Sequence, residues 1–176
     1  KGHPGAKITW AGNFPVTTKG WVDASLGNEL HGESTGRARS RIAGVLYLGE
    51  VPFWFFTARS KTTPLSTAEA ELIALVRLLR GLVILRCTIP MLFGLLGLPP
   101  TVVQEDNMAV IMMLRKRVIT GRARHVRVAI GYVLDVLDAG HAVVSFVSTK
   151  NQLANGLTKA ESKDEHERTC AALFAA

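Results

Sequence analysis

The chain is 176 residues long, the size of one domain at about 150 residues each. With 48% hydrophobic and 20% charged residues, it reads as a folded chain and not as a disordered tail. Two cysteines, Cys87 and Cys170, lack a CxxC spacing and exclude a disulfide scaffold and a cysteine-rich zinc site, while a net charge of +7 suits a polyanion or an acidic membrane surface as partner.

Residues 1 to 19 hold Gly, Pro, Asn and Thr in no sustained period and read as an irregular lead-in. Lys1 as first residue is expected of a processed product or a piece of a longer chain, and no secretory leader pattern follows it. Trp21 to Ala24 is a short apolar run closing on one acid, Asp23, before a turn at Gly27 and Asn28. Ile42 to Leu48 predicts a strand, Gly49-Glu50 a turn, and Val51 to Thr57 its hairpin partner. After the basic loop Ala58 to Pro64, Ser66 or Thr67 caps a helix predicted from Thr67 to about Leu85. Apolar side chains from Leu72 to Val83 cover nearly its whole circumference, interrupted by Arg77 and Arg80. Such a helix is buried on more than one side. The apolar stretch Leu78 to Leu98 carries Arg80, Arg86, Pro90 and three glycines, so it is no membrane span.

Beyond Pro99-Pro100, Thr101 to Gln104 reads as a strand, Met108 to Arg117 and His125 to Asp138 as helices, and Ala142 to Val147 as a strand. Asn151 to Lys159 is expected to form a short helix. Ser162 with Glu165 makes a capping-box pattern for another over Asp164 to Phe174. A hairpin sheet followed by alternating helices and strands implies an α/β fold of one domain with a mixed sheet.

Three acids stand where chemistry could sit: Asp23 in its apolar strand, Glu69 in the first turn of the long helix, and Asp106 between a strand and a helix. Converging acids of this kind make an oxygen-ligand site for Mg²⁺ or Mn²⁺; from spacing alone, plain helix capping is the commoner role for acids placed like Glu69 and Asp106. Glu71 points about 200° away from Glu69 around the helix, so the two cannot serve one metal, and Glu71 is expected to be structural. The five histidines show no metal-ligand pairing. Basic groups near the acids, among them Arg59, Lys61, Arg122, Arg124 and His125, suit a nucleic-acid backbone, although solvated faces explain many such charges.

Leu65 to Leu75, reading LSTAEAELIAL, closely resembles the LSSTEAEYIAL signature of ribonuclease H domains in copia-type (Pseudoviridae-like) retrotransposon Pol polyproteins. Other segments follow in the family's order. Gly20 to Ala24 resembles its GYSDAD strand, Gly44 to Phe56 its hairpin, Leu95 to Pro99 its LGLP turn, and Glu105-Asp106-Asn107 its CDN. Arg122 to Val126 resembles RTKHI, and Asn151 to Lys159 resembles EQLADILTK. The resemblance covers residues 20 to 160, leaving 1–19 as lead-in and 161–176 as a helical tail. It implies a ribonuclease-H-like five-stranded mixed sheet flanked by helices, and two-ion, Mg²⁺- or Mn²⁺-dependent cleavage of RNA in RNA–DNA hybrids. Carried over, Asp23 bridges both metals and Glu69 and Asp106 hold the one on the leaving-group side. The fourth carboxylate, which helps hold the water-activating metal, falls on Asn155, so that metal site loses a charge. The family's charged stretch before LGLP is apolar here, which leaves region 78–98 as a surface for a protein partner. Two readings follow: a retrotransposon-derived ribonuclease H, impaired at Asn155, or a domesticated, catalytically inactive domain serving as a structural subunit of a larger complex.

Overall fold

The computed structural model describes residues 17–27, 39–93, 98–117, 124–159 and 162–174. Strands β1 (Thr18–Ser25), β2 (Arg41–Leu48) and β3 (Val51–Arg59) form an antiparallel meander. The β2–β3 turn uses Gly49 at φ +61°, a left-handed conformation that costs glycine little. Helix α1 (Thr67–Phe93) then crosses the sheet, and β4 (Thr101–Glu105) enters parallel to β1 on its free side. Helices α2 (Met108–Lys116) and α3 (Arg124–Asp138) lead to β5 (Ala142–Phe146), which lies parallel to β4. The sheet order is β3-β2-β1-β4-β5, the five-stranded mixed sheet expected from the element order.

The main core lies between one sheet face and α1, with α2 and α3 beside it. Val22, Ile42, Leu46 and Phe56 of the sheet meet Leu72, Leu75, Leu78, Leu79 and Leu82 of α1, and α3 adds Ile130 and Val133. Helix α1 is thus covered by sheet and helix together, as its apolar circumference requires. It sits close to the sheet because Gly20 and Gly44 leave a notch for Leu78. A Cβ at Gly44 would lie 2.7 Å from one Leu78 methyl, and a Cβ at Gly20 would lie 3.4 Å from the other.

Helix α1 runs past Leu85 and through Pro90 to Phe93. Proline removes one backbone bond and crowds only the preceding turn. Arg86 also ties that end of the helix to the chain entering β4, donating to the carbonyls of Leu98 at 2.6 Å and Pro99 at 2.7 Å. Much of the apolar stretch expected to face a protein partner is core: Leu78, Leu79 and Leu82 are buried, while Ile84 is exposed. Residues 94–97 and the side chains of 89–93 lie outside the described residues. No helix among the described residues is long and apolar enough to cross a membrane.

The other sheet face carries a smaller cluster, Val45 and Tyr47 with Trp21, Leu153 and Leu157. The helix expected over 151–159 is split into a 3-10 turn (Thr149–Asn151) and the single-turn α4 (Asn155–Thr158). Gln152 breaks it. Its amide donates to the β1 carbonyl of Val22 at 2.9 Å, and its Oε1 accepts from the Ala154 N–H, replacing helical backbone bonds with side-chain ones. Helix α5 (Lys163–Phe174) starts at the expected capping box, with Ser162 and Glu165 bonded reciprocally.

Candidate metal site

Parallel pairing puts Trp21 beside Gln104 at the C-terminal ends of β1 and β4. Two residues further along each chain come Asp23 and Asp106, so the register alone brings both acids to the same end of the sheet. Asp106 follows the last residue of β4 and is only partly buried. It does not cap α2. Asn107 does so, its Oδ1 accepting from the N–H groups of Ala109 and Val110, which leaves the Asp106 carboxylate for other work.

The third acid is Glu71. One carboxylate oxygen from each of Asp23, Glu71 and Asp106 lies within 4.8 Å of the others. This corrects the expectation that placed Glu69 in the site and made Glu71 structural. Glu69 completes a capping box: Ser66 Oγ accepts from the Glu69 N–H at 3.2 Å, and Glu69 Oε2 accepts from the Leu65 N–H at 2.8 Å. Glu69 is turned to the start of α1, and Glu71 is the glutamate that meets the two aspartates. Two signals pointed to Glu71: Ser66 and Glu69 have capping-box spacing, and Glu71 falls on the stripe of Leu75, Leu78 and Leu82, the most buried side of α1. The LSSTEAEYIAL signature that this segment resembles carries both glutamates, and the residue-by-residue carry-over took Glu69.

Glu105, absent from the sequence-based site, is completely buried. Its side chain shares the face of Val103, by alternation along β4. Its Oε1 accepts from the Asn107 N–H at 2.9 Å, but its Oε2, like Glu71 Oε2, is buried without a hydrogen-bond partner among the described residues. Burial raises the pKa of Glu71, and the charges of Glu105, Asp23 and Asp106 raise it further. Glu105 is raised by burial and by the two aspartates, against the opposing bond from the Asn107 N–H. Asp23 is raised by burial, partly offset by the Thr158 hydroxyl and Lys159. Buried acids left unpartnered and pushed towards protonation are costly in isolation. A bound cation removes that cost, so the donor set fits a hard, oxygen-seeking divalent ion.

Thr158 and Lys159 close the site from the α4 side. The Thr158 hydroxyl donates to Asp23 Oδ2, and Lys159 Nζ lies 3.5 Å from the same oxygen. Asn155, which the resemblance assigns to the fourth carboxylate position, donates its amide to the Thr149 carbonyl at 2.8 Å and accepts from Lys159 Nζ at 3.0 Å. It therefore stands next to the trio, linked to Asp23 through the lysine.

This architecture has solved counterparts. The N-terminal RNase H domain of a Mycobacterium tuberculosis protein, solved as a fusion with maltose-binding protein, matches with a TM-score of 0.59 at 11% identity, covering 92% of this chain and 99% of that one. The fold is that of ribonuclease H. An RNase H1 from Halobacterium salinarum matches at 0.55 and 12% identity, covering 86% and 98%. LC11-RNase H1 from compost, in complex with an RNA/DNA hybrid, matches at 0.52 and 12% identity, covering 77% and 88%. No protein-family profile and no curated protein matches the sequence.

Within this ribonuclease-H-like domain, two of the expected nucleic-acid contacts can be placed. Arg59 pairs with Arg41 in the register row next to Ser25, two residues beyond Asp23. Arg59 and Lys61 are both exposed, at the sheet end that carries the acids. Arg122 and the side chains of Arg124 and His125 lie outside the described residues.

Proposed function

We propose that this chain is a divalent-metal-dependent ribonuclease H that cleaves the RNA strand of RNA–DNA hybrids. Asp23, Glu71 and Asp106 hold the metal in this reading. The observation that carries it is the meeting of three carboxylates from β1, α1 and the β4–α2 junction within 4.8 Å, with Glu71 Oε2 and the nearby Glu105 Oε2 buried without hydrogen-bond partners among the described residues. A Mg²⁺ or Mn²⁺ ion bound there would supply Lewis-acid stabilisation of charge on the phosphate. The protein's own part is to fix the acids: the sheet holds the two aspartates in register, and the capped first turn of α1 holds Glu71. Arg59 and Lys61, with Arg122, Arg124 and His125, would neutralise the hybrid backbone and make binding weaken steeply with salt. The sequence motifs support descent from a copia-type retrotransposon polyprotein.

One observation favours the second reading, a catalytically silent structural subunit. The fourth carboxylate position carries the neutral Asn155, already bonded to Thr149 and Lys159. A strand-specific assay with a labelled RNA–DNA hybrid and Mg²⁺ or Mn²⁺ decides between them. Cleavage confined to RNA, and lost in Glu71→Gln, supports the nuclease. A folded chain that cuts no hybrid with either ion refutes it and leaves the structural role.

A further inference from the structure

Lys159 brings a positive charge to the one edge of the site where a carboxylate is missing. Its ammonium lies between Asp23 Oδ2, at 3.5 Å, and Asn155 Oδ1, at 3.0 Å. Asp23 is 1% exposed, so this ion pair has one partner well removed from water. Among the described residues it is the only ion pair made by Asp23, Glu71 or Asp106. The lysine follows α4 in extended backbone, and its side chain is 42% exposed. Asn155 contributes an oxygen but no negative charge, and its amide is spent on Thr149.

We propose that Lys159 is a built-in counter-cation: its ammonium takes the Asp23–Asn155 side of the site in place of a second divalent ion. The site then takes one ion, held by Asp23, Glu71 and Asp106, and Lys159 weakens its binding by repulsion. This inference rests on the metal reading above. The protein without metal gains from the same lysine, because it offsets part of the charge that three clustered acids would otherwise leave unbalanced. A positive charge a few ångströms from a divalent ion, at a dielectric between those of protein and water, changes affinity by about tenfold or more.

The test is Mn²⁺ binding to the full chain, with free Mn²⁺ read by electron paramagnetic resonance, together with thermal melts with and without Mn²⁺. Wild type is expected to bind one Mn²⁺ per chain. Lys159→Met, which keeps the stem and removes the charge, should bind about tenfold more tightly and show a larger Mn²⁺-induced rise in Tm, while Lys159→Arg keeps the wild-type affinity. Equal or weaker binding by Lys159→Met, or two Mn²⁺ bound by wild type, overturns the proposal and leaves the metal reading standing. No binding by any of the three overturns both. Should Lys159→Met not melt cooperatively, the wild-type stoichiometry decides: one ion supports the counter-cation and two exclude it.

Discussion

Replacing Glu71 by Gln separates a metal ligand from an ordinary core residue, because the two roles predict opposite changes in stability. Without metal, the Glu71 carboxyl is buried beside Glu105, Asp23 and Asp106, and its pKa is pushed up to about 10 from 4.5. At pH 7 the folded chain therefore holds a proton that the unfolded chain releases, and stability is lost as pH rises above 4.5. Over roughly 2.5 pH units at ~1.4 kcal/mol each, the effect amounts to about 3 kcal/mol against folding at pH 7. Gln has no proton to lose and nearly the same volume. The metal-free variant should gain up to about 3 kcal/mol at pH 7 and almost nothing at about pH 4, where both states of Glu71 are protonated. Urea unfolding at the two pH values measures the difference. Adding Mg²⁺ should stabilise wild type and leave the variant unmoved, and hybrid cleavage should fall with the lost stabilisation. A variant less stable than wild type at pH 7 without metal would refute the reasoning, since Glu71 would then be contributing ordinary core bonds.

Four further outcomes follow from the same geometry. Glu69→Ala removes one arm of the α1 capping box and should cost about 1 kcal/mol of stability while leaving the cleavage rate at saturating metal unchanged. The Glu105 carboxyl is raised from 4.5 to about 8, so its contribution is full below pH 4.5 and lost as pH rises through about 8; the Tm of the metal-free protein should fall between about pH 5 and 8, and Glu105→Gln should flatten that slope. Gly44→Ala sets a Cβ 2.7 Å from Leu78 Cδ1 and 2.8 Å from Phe56 Cε1 and should cost about 1–3 kcal/mol in urea unfolding. Asn155→Asp adds a negative charge beside Lys159, and should lower the Mg²⁺ concentration needed for half-maximal cleavage.

The sheet was legible because its signals are local. The run holding Asp23 and the short strands after Pro100 and Gly140 fall on observed strands, the Gly49-Glu50 turn falls between β2 and β3, and their order dictates a mixed sheet. Asp23 and Asp106 were also within reach, as lone acids at strand ends. Glu71 was passed over because Glu69, the first-turn acid, looks suited to capping and to catalysis alike, although its capping-box spacing from Ser66 was readable. Glu105 was hidden by Asp106: in a strand that alternates buried and half-buried residues, a charge at a buried position looks like a strand end. The link from Asn155 to Asp23 through Lys159 runs along α4 and then across to β1, and depends on where the tertiary fold seats that single turn. Gln152, which breaks that helix, reads in sequence as one more helix former.

The notch that receives Leu78 makes the α1–sheet contact a pivot. Glu71 lies seven residues up the helix from that contact, about 10 Å along the axis. A tilt of only about 6° at the pivot moves the Glu71 carboxylate by about 1 Å, several times the roughly 0.2 Å latitude of a metal–ligand bond. Small residues at Gly20 and Gly44 thus act as an alignment tolerance for a carboxylate they never touch. In the proposed metal site, a methyl group added at Gly20 or Gly44 would shift Glu71 against the two aspartates while changing no ligand and no charge.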